Sequence, residues 1–246
     1  MQPETLNAAI IIIGNEILSG KTQDLNVQFL ALQLADLGIR LNEVRIIPDI
    51  SEDIINTVNK LRKKYTYVFT TGGIGPTHDD ITAKAIADAF NEELLLNEDA
   101  KSIIEKHVRE CDKVIREDHI RMAYMPKSAN LLLNLETGAP GFRIENVFVM
   151  AGVPYIMQSI FMEAKKLLKQ GKPILSEAIE INLSEGLIAK PFADLQNKYP
   201  TIEMGSYPFK QQDKKWKTNL VLRGDDQELI RQVKIELLEI IGKIKD

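Results

Sequence analysis

The sequence contains a single cysteine, Cys111, among 246 residues. That excludes a disulfide framework within the chain and a zinc site built on several thiolates. It also lacks an excess of positive charge. Lys+Arg number 31 against 35 Asp+Glu, for a formal net charge of -4 and a pI near 5.6. Such a chain has no bulk electrostatic attraction to nucleic acid or to an anionic membrane. It lacks a long apolar run as well. Ala8–Ile13 is too short to cross a bilayer, has no basic segment before it, and reads as a buried strand. A cytoplasmic protein with neither nucleic acid nor membrane as partner is expected. No internal repeat or low-complexity tract is present. Apolar residues at 44% and charged residues at 27% are those of a globular chain of one to two domains.

Strands and helices alternate over the first two thirds. Ala8–Ile13 is closed by Gly14, as in a strand covered on both faces. A polar loop is expected over Asn15–Lys21. Val27, Leu30, Ala31, Leu34 and Leu37 recur at helical spacing before a stop at Gly38. Ile39–Ile47 reads as a strand, and Ser51 as the cap of a helix carrying Ile54, Ile55, Val58 and Leu61 inward. Tyr67–Thr70 is the next strand, followed by a helix from about Asp79 to Phe90 and a short strand near Glu93–Leu96. Helices are expected over Glu98–Ile115 and Asp118–Tyr124. Strands follow at Leu131–Asn134, Gly141–Ile144 and Val147–Met150, then a helix over Tyr155–Leu168. Alternation of this kind predicts right-handed crossovers and a parallel sheet with helices on both faces.

The pattern changes after Pro173. A strand (Ile174–Leu183), a helix (Leu187–Tyr199), two paired strands (Ile202–Phe209 and Trp216–Leu222, around the polar turn QQDKK) and a helix (Asp225 to Lys243) are expected. The division is a first domain over 1–172 and a small β-α-β-β-α domain over 173–246. His107 stands four residues before Cys111, a metal-sharing spacing on a helix. The surrounding Ile103, Ile104, Val108 and Val114 favour a structural thiol on an apolar face instead.

In parallel sheets, ligands bind beyond the carboxyl ends of the strands. Three glycine-bearing loops leave apolar strands there. The richest is Thr71-Gly72-Gly73-Ile74-Gly75-Pro76-Thr77-His78-Asp79-Asp80. Its glycines allow close approach of a ligand to backbone N–H groups, and the helix start that follows favours anions. It is neither a Walker A loop, lacking Gly-Lys-Ser/Thr, nor a dinucleotide G-x-G-x-x-G, because His78 replaces the third glycine. Two carboxylates would repel bare phosphate; they make sense if a hard cation bridges Asp79 and Asp80 to phosphate oxygens. Thr77 with Asp80 also resembles a capping box, which would account for one aspartate but not two. His78 reads as a surface residue rather than a catalytic one. The second loop is Gly14-Asn15-Glu16-Ile17-Leu18-Ser19-Gly20. Glu16 is a candidate base or metal ligand, and Ser19, Thr22 and Asn26 are candidate hydrogen-bonding groups. The third, Ala151-Gly152-Val153-Pro154, offers amides and no reactive side chain. Thr137–Gly141 could wall a pocket.

Taken together, these loops resemble the MoaB/Mog family of molybdenum-cofactor biosynthesis domains, and more closely the N-terminal part of the CinA family. The resemblance rests on Gly14–Gly20, Thr71–Asp80, Ala139–Phe142 and Ala151–Met157, and continues through Gly205–Pro208 and Leu220–Arg223. The Gly-Pro-Thr-His-Asp-Asp form is also similar to the molybdopterin-binding-type domain of eukaryotic FAD synthetases. The resemblance implies a three-layer α/β/α fold and a pocket for a nucleotide or a molybdopterin-like ligand. It implies metal-dependent pyrophosphatase activity on ADP-ribose or FAD, with molybdopterin binding or adenylation without hydrolysis as the alternative. Carried over residue by residue, it places ligand contacts on Gly14, Asn15, Ser19, Gly20, Asn26, Thr71, Gly72, Gly73, Gly75, Thr77, Gly152, Val153 and Pro154. It places catalysis on Asp79, Asp80 and Glu16, with Asp79 and Asp80 holding Mg²⁺, Mn²⁺ or Co²⁺. K⁺ is a further candidate ion, and a homo-oligomer is implied. Asn15 stands where the family more often has an acid, and Ala151 where it more often has proline.

Overall fold

The computed structural model describes residues 6–134, 136–210 and 216–244. The QQDKK turn lies outside the described residues. The chain forms two compact units. One comprises the chain up to Leu34 with Ile39–Gly171, the other Ala35–Gly38 with the chain from Lys172 onward.

In the first unit, β1 (Asn7–Ile13), β2 (Arg40–Ile47), β3 (Tyr67–Thr71) and β8 (Val147–Met150) run parallel, in the spatial order β2-β1-β3-β8. Two antiparallel strands, β7 (Gly141–Ile144) and β6 (Asn130–Leu132), extend the sheet beyond β8. The fold is therefore the expected α/β sandwich with a mostly parallel sheet. The continuous apolar run of β1 follows from double coverage. Ala9, Ile11 and Ile13 join a core with Ile54, Val58 and Leu61 of α3 (Ser51–Leu61), Ala85 and Ile86 of α4 (Thr82–Ala89), and Ala100 and Ile104 of α5 (Glu98–Glu110). On β3 and β8, Phe69 and Phe148 stack at 5.2 Å, and Phe69 also meets Phe161 of α7 (Pro154–Lys165), which packs edge-on to Phe29 of α2 (Asn26–Asp36). Each buried Ile or Phe contributes on the order of 1.5–3 kcal/mol relative to exposure. This rigid centre holds the strand ends in place.

Several local expectations change. Asn15–Leu18 is one helical turn, α1, rather than open loop. Ser51 is the first helical residue of α3, with Ile50 in the extended cap position. Helix α4 starts at Thr82, not at Asp79, because the Thr82 N–H is held by the Gly73 carbonyl at 2.9 Å and the aspartate side chains turn back to Thr77. Helix α5 stops at Glu110, and Asp112 takes a left-handed conformation at φ +55°. Cys111 and Val114 are therefore exposed, not on an apolar face. A short helix α6 (Glu117–Arg121) ends before Tyr124, which begins strand β5 (Tyr124–Pro126), paired with β4 (Leu94–Leu96).

The second unit is a three-stranded antiparallel sheet in the order β10-β11-β9, from β9 (Leu175–Ile181), β10 (Glu203–Lys210) and β11 (Trp216–Gly224). Helices α8 (Glu185–Lys198) and α9 (Gln227–Lys243) bury Ile188, Phe192, Leu195, Ile230, Val233 and Leu237 against Ile179, Ile181, Leu220 and Leu222. Trp216 is exposed and receives Lys210 over its ring at 5.5 Å, so it does not pack in the core as expected. Among the described residues, no helix is long and apolar enough to cross a membrane.

Candidate functional site

Parallel strands deliver their carboxyl ends to one side of the sheet. Here β1 ends in Gly14 and α1, β2 in Pro48-Asp49, β3 in the glycine loop, and β8 in Ala151-Gly152. These ends surround a cleft of about 620 Å³, within the range of small-molecule sites. Of the residues singled out from the sequence, Glu16, Gly72, Gly73, Gly75, Asp79, Asp80, Gly152, Val153 and Pro154 line it, with Thr22. The segment Thr137, Ala139 and Pro140 walls it as expected.

The other predicted contacts, Gly14, Asn15, Ser19, Gly20, Asn26, Thr71 and Thr77, do not line the cleft. The Gly14 N–H donates to the Ile47 carbonyl (3.1 Å), tying β1 to the end of β2. The Asn15 N–H donates to Asp49 Oδ2 at 2.8 Å. The Ser19 hydroxyl donates to the Glu16 carbonyl, and Gly20 closes α1 with φ +71°. Asn26 is 3% exposed; its Nδ2 donates to the Gly152 carbonyl at 2.8 Å, while its Oδ1 has no partner among the described residues. The buried hydroxyls of Thr70, Thr71 and Thr82 also lack partners there.

The glycine loop needs its glycines for stated reasons. Gly72 sits at φ +104°, and a Cβ there would lie 2.1 Å from the Ile13 carbonyl oxygen. Gly73, at φ +67°, is pressed against the Thr82 hydroxyl. The Gly72 N–H is spent on the Met150 carbonyl, extending the sheet by one bond. The amides of Gly73, Ile74 and Gly75 donate to no other described residue. They are the loop's available anion donors.

The acidic lip follows. The Thr77 N–H donates to Asp80 Oδ2 at 2.8 Å, the reciprocal half of the capping-box pattern, but it closes a turn ahead of the helix. The Thr77 hydroxyl lies 2.5 Å from Asp79 Oδ1 and 2.7 Å from Asp80 Oδ2. A hydroxyl has one hydrogen, so only one of these carboxylates receives it. Two anionic oxygens therefore converge on one proton. The Thr77 hydroxyl lowers the Asp79 pKa below its ordinary value, helped by its own backbone amide and more weakly by the charges of His78 and Arg121. Asp79 is accordingly a carboxylate at neutral pH. His78 itself is exposed.

Two features of the cleft escaped sequence reasoning. Asp49 comes from the end of β2, and Met122 from the turn after α6. Asp49 follows Pro48 at a strand end, a signal that could have marked it. Nothing local marked Met122. Among the described residues, no three His, Cys, Asp or Glu side chains are grouped to hold a metal ion, His107 and Cys111 included. A cation here would need ligand oxygens beside Asp79 and Asp80. That is the usual arrangement for Mg²⁺, bound through one or two carboxylates and substrate phosphates.

A layered α/β/α chain with a glycine loop and an acidic lip at its strand ends defines a class of small-ligand-binding α/β proteins. The comparisons narrow the class. Residues 9–170 match the family described as "Probable molybdopterin binding domain", and the chain belongs to that family. Residues 173–245 match "FAD synthase, middle domain". A protein of Archaeoglobus fulgidus is 33% identical over 199 residues, covering 81% of this chain and 84% of its own length. A "Probable FAD synthase" of Caenorhabditis briggsae is 28% identical, over 95% of this chain and 49% of its own length. This chain thus spans about half of that relative. The crystal structure of CinA from Thermoplasma acidophilum, of unknown function, superposes with a TM-score of 0.61 at 28% identity, covering 66% of this chain and 99% of that one.

Proposed function

We propose that this protein hydrolyses the pyrophosphate of a dinucleotide such as ADP-ribose or FAD with the help of a divalent cation. The observation that carries the reading is the Thr77-centred pair. Asp79 and Asp80 compete for one hydroxyl proton beside amides that have no partner among the described residues. Asp79 and Asp80 are hard oxygen donors of the kind that would hold such a cation. When bound, such a cation supplies neutralisation of phosphate charge. Similarity to FAD synthase relatives supports the nucleotide class.

The chain's own groups do the rest. The Gly73, Ile74 and Gly75 amides hold a non-bridging phosphate oxygen and stabilise the charge that gathers on it. Glu16, on α1 across the cleft, accepts the proton of the attacking water. A new O–P bond forms as the bridging P–O bond breaks, and two monophosphates leave. The Asn26 amide fixes the Gly152 carbonyl, and so the third loop, in place. The experiment is cation-dependent turnover of ADP-ribose and FAD, read by coupled release of phosphate from the monophosphate products, for wild type and Asp80→Ala. Turnover abolished in the variant supports the reading; equal turnover in both removes it.

A second reading keeps the same cleft for molybdopterin, without hydrolysis. The family description and the apolar walls formed by Ile74, Met122, Pro140 and Ile156 favour it. Saturable pterin binding with no dinucleotide turnover under any divalent cation would establish it in place of the first.

A further inference from the structure

Two helices of the first unit lie side by side on one face of the sheet. Helix α2 follows β1 and helix α7 follows β8; both begin at the carboxyl ends of parallel strands, so they run in the same direction. The Asn26 bond to the Gly152 carbonyl ties their first turns together. Phe29 and Phe161 meet edge-on at 5.8 Å further along, and Lys165 Nζ donates to Gln33 Oε1 (2.8 Å) toward the far end.

A helix at a protein surface normally turns charged side chains to water. This pair has none over most of its length. No residue is charged from Leu25 to Ala35, or from Val153 to Met162. Asp24 Oδ1 accepts the Val27 N–H, which sets Leu25 in the first turn of α2. Leu25 and Leu32 are seven residues apart, as are Tyr155 and Met162 on α7. Seven residues are two helical turns, so each pair shares one stripe of its helix. All four side chains are more than half exposed. Two apolar stripes on neighbouring helices make a patch of the kind that marks an interface, unlike apolar residues scattered singly.

The chemistry of the patch selects its partner. An uncharged face offers no ion pair to a charged partner and would strip water from any charge set against it. A second copy of the same face has the same neutrality and the same stripe spacing, and a twofold axis brings the two together. Turned end for end, the second pair of helices also opposes the aligned dipoles of the first. Helices of 11 and 12 residues set about 10 Å apart present a face of roughly 17 by 20 Å. Two such faces remove on the order of 1,000 Å² from water, enough for a specific but reversible interface.

We infer that α2 and α7 form a self-complementary dimer interface, in which two copies join as a four-helix layer through Leu25, Leu32, Tyr155 and Met162. The interface does not depend on which ligand the cleft takes.

The test is sedimentation equilibrium of the full chain across the micromolar range, for wild type, Leu32→Glu, Met162→Glu and Val114→Glu. Val114 is the control, 81% exposed and on neither helix. Symmetry places each new charge in the interface twice, so a substitution on either helix is expected to weaken association by about a hundredfold or more. Wild type and Val114→Glu are expected to reach the dimer at the top of the range, while Leu32→Glu and Met162→Glu stay monomeric. All three positions are exposed, and thermal melts check that the variants fold. A wild type that is monomeric at every concentration overturns the inference. So does an assembly that survives both helix variants, or one that Val114→Glu abolishes equally.

Discussion

Gly72→Ala should be the most damaging small substitution in the loop, and the structure says by how much. Two costs add. Gly72 has φ +104°, a conformation that costs an L residue roughly 1–2 kcal/mol. In addition its Cβ would sit 2.1 Å from the Ile13 carbonyl oxygen, which belongs to a strand buried on both faces. Relief requires that β1 or the loop shift by about 1 Å, and strain of this kind in a packed core costs about 1–3 kcal/mol. The sum is about 3 kcal/mol, or roughly 6–12 °C in Tm for a domain of this size. Gly20→Ala is the matched control. Gly20 is also left-handed, at φ +71°, but nothing lies within 4 Å of its Cβ position. It should cost about 1 kcal/mol, roughly 2–4 °C. Calorimetry or a circular-dichroism melt of the two variants reads the difference directly. A Gly72→Ala melt within 2 °C of wild type, or no lower than that of Gly20→Ala, would refute the close-approach argument.

Other predictions follow from the same geometry. Glu43 accepts from Tyr65 Oη (2.6 Å), Lys64 (2.9 Å) and Arg45 (2.6 Å), and these bonds, Tyr65 first, hold its pKa down to about 2. Because the folded value is depressed, the stabilisation is present above the ordinary carboxylate range and is lost as pH falls from about 5 toward 2. Glu43→Gln should therefore lower stability by about 1–2 kcal/mol at pH 7, after allowance for partial exposure. The gap should narrow in melts at pH 3 and close at about pH 2; an unchanged gap would contradict the linkage. Asn26→Ala leaves the Gly152 carbonyl unpaired and should cost about 1–3 kcal/mol. Asn26→Asp sets a carboxylate against that carbonyl and should cost more, a ranking that denaturant midpoints can reverse or uphold. Thr77→Val removes the shared hydroxyl proton, so the Asp79 pKa should move upward. Carboxylate NMR shifts across an acid titration would show no such movement if the hydroxyl is not its cause.

Two strands of the sheet were legible because they are apolar runs that lead into glycine loops, as Ala8–Ile13 and Tyr67–Thr70 show. The glycine loop was legible for the same reason. Boundaries failed where side chains competed with the backbone. Asp79 and Asp80 look like first-turn acids, yet both turn to Thr77, and α4 waits until Thr82. Tyr124 looked helical beside Ile120 and Met122, but pairing with Leu96 draws it into a strand. Asp49 and Met122 reach the cleft by topology alone. They are far from the glycine loop in sequence, and only the parallel order of β2, β1 and β3 and the turn after α6 bring them there. Which amides of the loop are available also depended on the fold, since the Gly72 N–H is spent on Met150.

The central claim is that the Asp79–Asp80 lip turns a phosphate cradle into a pyrophosphatase. Phosphorus NMR of ADP-ribose and FAD incubated with the full chain and Mg²⁺, Mn²⁺ or Co²⁺ tests it most directly. The account predicts that the pyrophosphate resonances give way to two monophosphate resonances, only with cation present and not with Asp80→Ala. Pyrophosphate signals that persist with every cation would contradict it and leave the cleft to a bound pterin.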